Sequence, residues 1–188
     1  MLASFDFLSQ PTTLTLVTTS TCTSACRSCC FHCSPHRKES ISQSKAITYI
    51  NICTTTFPSI STLVLTGGEP LTMGVDYICN LIQHAHKKGL ITRIVSNAYW
   101  ASNFDNAKHI ILSMASAGLN EINISTGNEH LKYVPLDNII NVVHACKEIE
   151  LISTCVIVVE GGNRHNPILE LLDLSQEQKD FINNLLQD

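Results

Sequence analysis

The sequence lacks any apolar run near the roughly 18 residues needed to span a bilayer, so no membrane-crossing helix is expected. It has no block of five like charges, and 12 Lys and Arg against 16 Asp and Glu leave a net charge of −4. That balance argues against a nucleic-acid binder or an anionic membrane surface as partner. Positions 1–11 show no basic start, no long apolar stretch and no small-residue cleavage site. No secretory signal is therefore expected there, and a reducing, cytoplasmic setting is the working expectation. Charge is scarce overall, at 15% against 44% hydrophobic residues, a balance that suits a folded domain and not a disordered chain. One domain with a substantial core, spanning 1–188, is expected from the length.

Cysteine, by contrast, is abundant. Of nine cysteines, five fall within twelve residues: Cys22, Cys26, Cys29, Cys30 and Cys33. In a reducing compartment such crowding points to a metal and not to a disulfide framework. The thioredoxin-like context that would make a CxxC pair a thiol–disulfide exchanger is missing.

Short β-branched runs alternate with amphipathic stretches. Segments 13–18 (TLTLVT), 62–66 (TLVLT), 91–96 (ITRIVS), 121–126 (EINIST) and 153–160 (STCVIVVE) read as five strands. Between them, Val75, Ile78, Leu81, Ile82 and Ala85 recur at helical spacing, as do Phe104, Ala107, Ile111 and Met114, then Ile139, Val142, Val143 and Cys146. Gly118 sits where a helix should end, Pro167 can open another, and Ser175 with Gln178 forms a capping-box pattern before a helix at about 175–188. The later strand starts are 29, 30 and 32 residues apart, the spacing of repeated βα units in a parallel sheet. About twenty extra residues separate the first strand from its helix, and the cysteine loop, 20–35, lies among them.

In parallel α/β folds, ligands gather at the carboxyl ends of the strands. The segments expected there are 20–35, 67–71, 97–101, 127–130 and 161–165, so the unusual chemistry converges on one edge. Cys22-x3-Cys26-x2-Cys29 places three thiols in one loop, a donor set suited to an iron–sulfur cluster or to zinc. Three ligands on a four-iron cluster leave one iron open to a small molecule. Cys26-x3-Cys30-x2-Cys33 satisfies the same spacing. A zinc knuckle built from Cys26, Cys29, Cys30 and Cys33, with His32 or His36 as an extra ligand, is the third arrangement; the adjacency of Cys29 and Cys30 would strain its tetrahedron.

These cysteines after a strand, followed by Thr66-Gly67-Gly68-Glu69-Pro70 at the end of the next, resemble the two leading motifs of the radical S-adenosylmethionine superfamily. The resemblance runs from about residue 13 through the fifth strand and implies a parallel partial barrel of (βα)5–6 type. It implies a [4Fe-4S] cluster on Cys22, Cys26 and Cys29, the register whose link from the first strand matches the family's. Ser28 departs from the aromatic residue usual before the third cysteine.

The resemblance further implies S-adenosylmethionine as a cofactor, with Gly67, Gly68, Glu69 and Pro70 at its methionine amino group and Ser125, with Thr126, at its ribose or carboxylate. The implied activity is reductive cleavage to a 5′-deoxyadenosyl radical that abstracts hydrogen from a substrate, a peptide, protein or small molecule. A flavodoxin or ferredoxin would be the reductant. Auxiliary clusters are not expected, because no further cysteine-rich segment follows.

Asn97, Glu129 and His130 are further loop candidates, as are Tyr99 and Trp100 for a substrate pocket and Gly161 and Gly162 beside the adenine. Each has an ordinary strand-end, surface or rim role as its alternative. Cys53, Cys79, Cys146 and Cys155 fall on apolar faces and read as core. The competing functional reading is a non-catalytic zinc- or iron–sulfur-binding module on a shortened barrel.

Overall fold

A computed structural model describes residues 10–150 and 153–158. Strands β1 (Thr13–Thr19), β2 (Thr62–Gly67), β3 (Ile91–Ser96), β4 (Glu121–Thr126) and β5 (Ser153–Val158) alternate with helices α1 (Gln43–Thr56), α2 (Val75–Lys87), α3 (Phe104–Ala117) and α4 (Leu136–Ile149). The strands lie in the order β1-β2-β3-β4-β5, and every neighbouring pair is parallel. This is the sequential βα succession from which a partial barrel is rolled, as the spacing predicts.

Side-chain alternation sorts each strand into two faces. Leu63 and Leu65 on β2, Ile94 on β3, and Ile122 and Ile124 on β4 are fully buried. They join Ile50 of α1, Ile78, Leu81 and Ile82 of α2, Ile111 and Met114 of α3 and Val142 of α4 in one core. Each such side chain contributes roughly 1.5–3 kcal/mol relative to an exposed one. The opposite face carries Thr66, Val95 and Ser125 near the carboxyl ends, where they border a cavity.

Local chemistry fixes the boundaries. Ser42 caps α1 by accepting from the Lys45 amide, and Asn103 caps α3 by accepting from Asn106. Gly118 ends α3 in the left-handed conformation at φ 104°, and a Cβ there would lie 2.5 Å from the His86 ring of α2. The glycine thus both terminates one helix and admits its neighbour.

The helix expected between the cysteine loop and β2 is α1, whose bounds could not be read because it buries only Ala46 and Ile50, too thin a stripe for an amphipathic face. The 3-10 turn at Pro70–Met73, which links β2 to α2, was not expected. The fifth strand holds over 153–158, whereas positions 159–160, the glycines at 161–162, Pro167 and the expected helix at 175–188 lie outside the described residues. Among the described residues no helix is long and apolar enough to cross a membrane.

Candidate functional site

The cysteine loop leaves β1 at Ser20 and is tied back at both ends. Ser20 donates its amide to the Glu39 carbonyl at 2.8 Å, and Thr21 Oγ1 donates to the Arg37 carbonyl at 2.7 Å. A parallel bridge joins Thr21 to Ser34, with the Cys22 amide donating to the Ser34 carbonyl at 3.2 Å. Within the loop, the Cys29 amide donates to the Cys26 carbonyl and the His32 amide to the Cys29 carbonyl, so successive tight turns wind the thiols round one space.

The loop can lie against the exit of β2 because two glycines stand there. A Cβ on Gly68 would be 2.1 Å from the Thr21 carbonyl oxygen, and one on Gly67 would be 2.5 Å from that of Thr19. The Gly68 amide donates to Thr19 at 2.7 Å and the Glu69 amide to Thr21 at 2.8 Å, which seals the contact. The glycine pair therefore brings the backbone of its own chain close, besides bordering the cavity.

That cavity, of about 220 Å³, is lined by Cys22, Cys26 and Cys29 from the loop, Gly67 and Gly68 from β2, and Asn97, Ser125 and His130 from the neighbouring edge. Cys30 and Cys33 line it too. Asn97 joins the third strand to the loop: its Nδ2 donates to Thr23 Oγ1 at 3.0 Å, to Ser24 Oγ at 3.2 Å and to Cys22 Sγ at 3.7 Å. The Ser24 amide also donates to Cys22 Sγ, and the Cys33 amide donates to Cys29 Sγ, each at 3.4 Å. On the far side, the Arg27 amide donates to the Glu129 carboxylate and Tyr133 Oη to the Ala25 carbonyl, docking the loop after β4 onto the cysteine loop.

Glu69 is fully buried and does not line the cavity. Its carboxylate accepts from the Leu71 amide at 3.2 Å, Ser96 Oγ at 2.9 Å and the Asn97 amide at 2.8 Å. Burial pushes its pKa up to about 7 against the pull of those donors. Its carboxylate thus holds the exits of β2 and β3 together. Pro70 is buried at the start of the 3-10 turn.

Burial raises the pKa of Cys22, the Ser24 amide opposing it, and raises that of Cys26, with Cys29 as the next cause. Burial lowers that of His130, whose Nδ1 has no partner among the described residues. Trp100 is core and donates to Ser96 Oγ, while Tyr99 donates to the Leu71 carbonyl; neither lines the cavity. Thr126 is buried and is likewise not part of the lining. Cys146 belongs to the core, and Cys53 and Cys79 pack against it; the side chain of Cys155 lies outside the described residues.

The donor set suits a cluster better than a single ion. Among the described residues no three His, Cys, Asp or Glu side chains converge as ligands of one metal ion. A zinc site needs four donors about 2.0–2.3 Å from one centre. An iron–sulfur cluster instead gives each thiolate its own iron, and N–H groups aimed at the sulfurs tune it. The Ser24, Cys33 and Asn97 donors supply such N–H groups. The eight described cysteines are all free.

A family model described as "4Fe-4S single cluster domain" matches residues 12–131. No curated protein matches the sequence. Among solved structures, hexahistidine-tagged anSMEcpe with bound AdoMet is similar at 15% identity and a TM-score of 0.64, covering 90% of this chain and 48% of that one. Native anSMEcpe with bound AdoMet and the Cp18Cys peptide gives 12% identity and a TM-score of 0.58, over 78% of this chain and 42% of that one. Coproporphyrinogen III oxidase (HemN) from Escherichia coli, described as a radical SAM enzyme, gives 16% identity and 0.54, over 93% and 40%. The chain spans less than half the length of each of these proteins. At these identities the likeness is one of fold, the partial barrel of radical SAM enzymes.

Proposed function

The chain belongs to the family of 4Fe-4S single cluster domains, and we propose that it works as a radical S-adenosylmethionine enzyme whose cluster is held by Cys22, Cys26 and Cys29. The observation that carries this reading is the convergence of those three thiols, Gly67 and Gly68 on one cavity at the carboxyl edge of a parallel sheet. A reduced cluster there would supply the electron that splits S-adenosylmethionine into methionine and a 5′-deoxyadenosyl radical able to take hydrogen from a substrate.

The protein's own residues prepare the place. Asn97 and the Ser24 amide hold Cys22 Sγ in hydrogen bonds that favour the thiolate. Gly67 and Gly68 present bare backbone to the ligand's methionine end, and buried Glu69 and Pro70 fix that backbone from behind. Ser125 faces the same cavity and offers a hydroxyl to the ribose or carboxylate. Among the described residues the cavity of about 220 Å³ is smaller than the roughly 300–1,000 Å³ of a complete ligand site, so the ligand extends along the inner face of the described strands.

On that side we assign a peptide or protein substrate. The exposed Phe31 at the cavity rim supports it, as does the similar enzyme solved with a peptide. A flavodoxin- or ferredoxin-type donor fits the need for single electrons, and a reducing cytoplasm fits the free thiols.

Anaerobic reconstitution tests the reading. The expected result is about four irons and matching sulfide per chain, followed by 5′-deoxyadenosine release on adding S-adenosylmethionine and dithionite. Zinc without nucleoside release would replace it with a metal-stabilised binding module.

A further inference from the structure

Cys33 is a buried cysteine that the core does not use. It is 5% exposed, yet it is absent from the apolar core to which Cys146 belongs. Its burial comes from the cavity wall, which it shares with Cys22, Cys26 and Cys29. Cys30, next to Cys29, also borders the cavity but is exposed to solvent.

Two sets of backbone bonds set Cys33 among the proposed ligands. The Ser34 amide donates to the Ser20 carbonyl at 3.4 Å and the Cys22 amide donates to the Ser34 carbonyl at 3.2 Å, which clamps the chain at Cys33 beside Cys22. The Cys33 amide donates to Cys29 Sγ at 3.4 Å, which seats it over the third thiol. Its own thiol makes a long contact, 3.8 Å, to the Phe31 carbonyl two residues back in the same loop.

Resting on the cluster reading above, we propose that Cys33 is a fourth, exchangeable thiolate ligand. It closes the open iron while no S-adenosylmethionine is bound and yields that position to the ligand's methionine end. On coordination the Cys33 thiol gives its proton to solvent, and on displacement the thiolate takes one back. No electron moves in either direction. The device protects an iron that would otherwise carry only solvent, and it couples exposure of that iron to arrival of the cofactor.

The experiment uses the full chain, reconstituted anaerobically with iron and sulfide, as wild type, Cys33→Ala, Cys33→Ser and Cys30→Ala. Mild ferricyanide oxidation without S-adenosylmethionine is followed by electron paramagnetic resonance for the three-iron form that appears when an unprotected iron leaves. Wild type and Cys30→Ala should keep four irons, while both Cys33 variants should convert to the three-iron form. S-adenosylmethionine should bind the Cys33 variants about tenfold more tightly, the effect of removing a competing state populated about ten to one.

Conversion of wild type and Cys33 variants to the same extent, or equal affinity in all four proteins, would overturn the proposal while leaving a four-iron enzyme in place. Loss of all iron from Cys33→Ser with unchanged circular dichroism would overturn it too, by making Cys33 one of the three permanent ligands. A wild-type protein that assembles no four-iron cluster would sink the cluster reading itself.

Discussion

Leu65 and Thr66 are adjacent residues with different tasks, and the same holds for Ile94 and Val95 and for Ile124 and Ser125. The first of each pair is fully buried against the helices, and the second faces the cavity. Alternation along a strand separates stability from binding within a single residue step. The helix-packed face is mostly apolar, with Thr92 and Ser96 buried on either side of Ile94, whereas the inner face near the carboxyl ends mixes Thr, Val and Ser with glycine and thiols. Loss of packing on one face should therefore unfold the molecule, and loss of a group on the other should disarm it.

The largest effect expected is on the inner side. Cys26→Ala removes a thiol common to both possible CxxxCxxC registers, so iron incorporation should fall to background. Folding stability of the cluster-free chain should change by less than about 0.5 kcal/mol, because the site is not core. Ile94→Ala is the counterpart across the sheet. It should cost about 2–5 kcal/mol in urea unfolding, with iron per folded molecule unchanged. A Cys26 variant as destabilised as the Ile94 variant would erase the distinction between the faces.

Much of this contrast was legible in the sequence, for physical reasons. Strands β3 and β4 occur at the expected limits because short β-branched runs there end at turn-forming residues. Helices α2, α3 and α4 carry broad apolar stripes. The bounds of helix α1 did not show themselves: its Ser, Thr and Asn satisfy themselves locally, with Thr48 Oγ1 donating to the Ser44 carbonyl and Thr54 Oγ1 to that of Ile50.

At the site, the thiols and the glycine pair could be read because each motif is contiguous. The embrace of Glu69 by Ser96 and Asn97 joins residues 27 and 28 apart, and the Asn97 contact with Cys22 joins residues 75 apart. No local pattern encodes those pairings. A carboxylate expected at the ligand proved to brace the strands, and an asparagine of secondary interest proved to join strand and cysteine loop.

Glu69 tests the boundary between the two faces, since it belongs to neither. Glu69→Gln puts an amide NH₂ against at least one of the backbone donors of Leu71 and Asn97, and a loss of about 1–3 kcal/mol is expected. The pH dependence has a definite sign. Burial raises Glu69 to about 7 in the folded chain, above the roughly 4.3 of an unfolded one. The folded state therefore holds the proton more tightly, and this contribution is full below about pH 4 and is lost as pH rises through 7. Urea midpoints should separate wild type from Glu69→Gln more widely at pH 5 than at pH 8. A gap that widens with pH would mean that the three donors outweigh burial and stabilise the carboxylate.

Ser125→Ala should have the smallest effect and gives the finest test of the division. Ser125 is half-buried, stands one residue beyond core Ile124, and presents its hydroxyl on the cavity side of the sheet. Removing that hydroxyl leaves the packing on the helix side intact, so the urea midpoint should stay within about 0.5 kcal/mol of wild type. A hydrogen bond to the bound ligand is worth about 0.5–1.5 kcal/mol, so titration of the reconstituted protein with S-adenosylmethionine should show affinity weakened roughly two- to tenfold. Unchanged affinity would take Ser125 out of the ligand site. A stability loss comparable to that of Ile94→Ala would show that the inner face carries structural weight at the strand ends, and that the one-residue alternation does not separate the two tasks there.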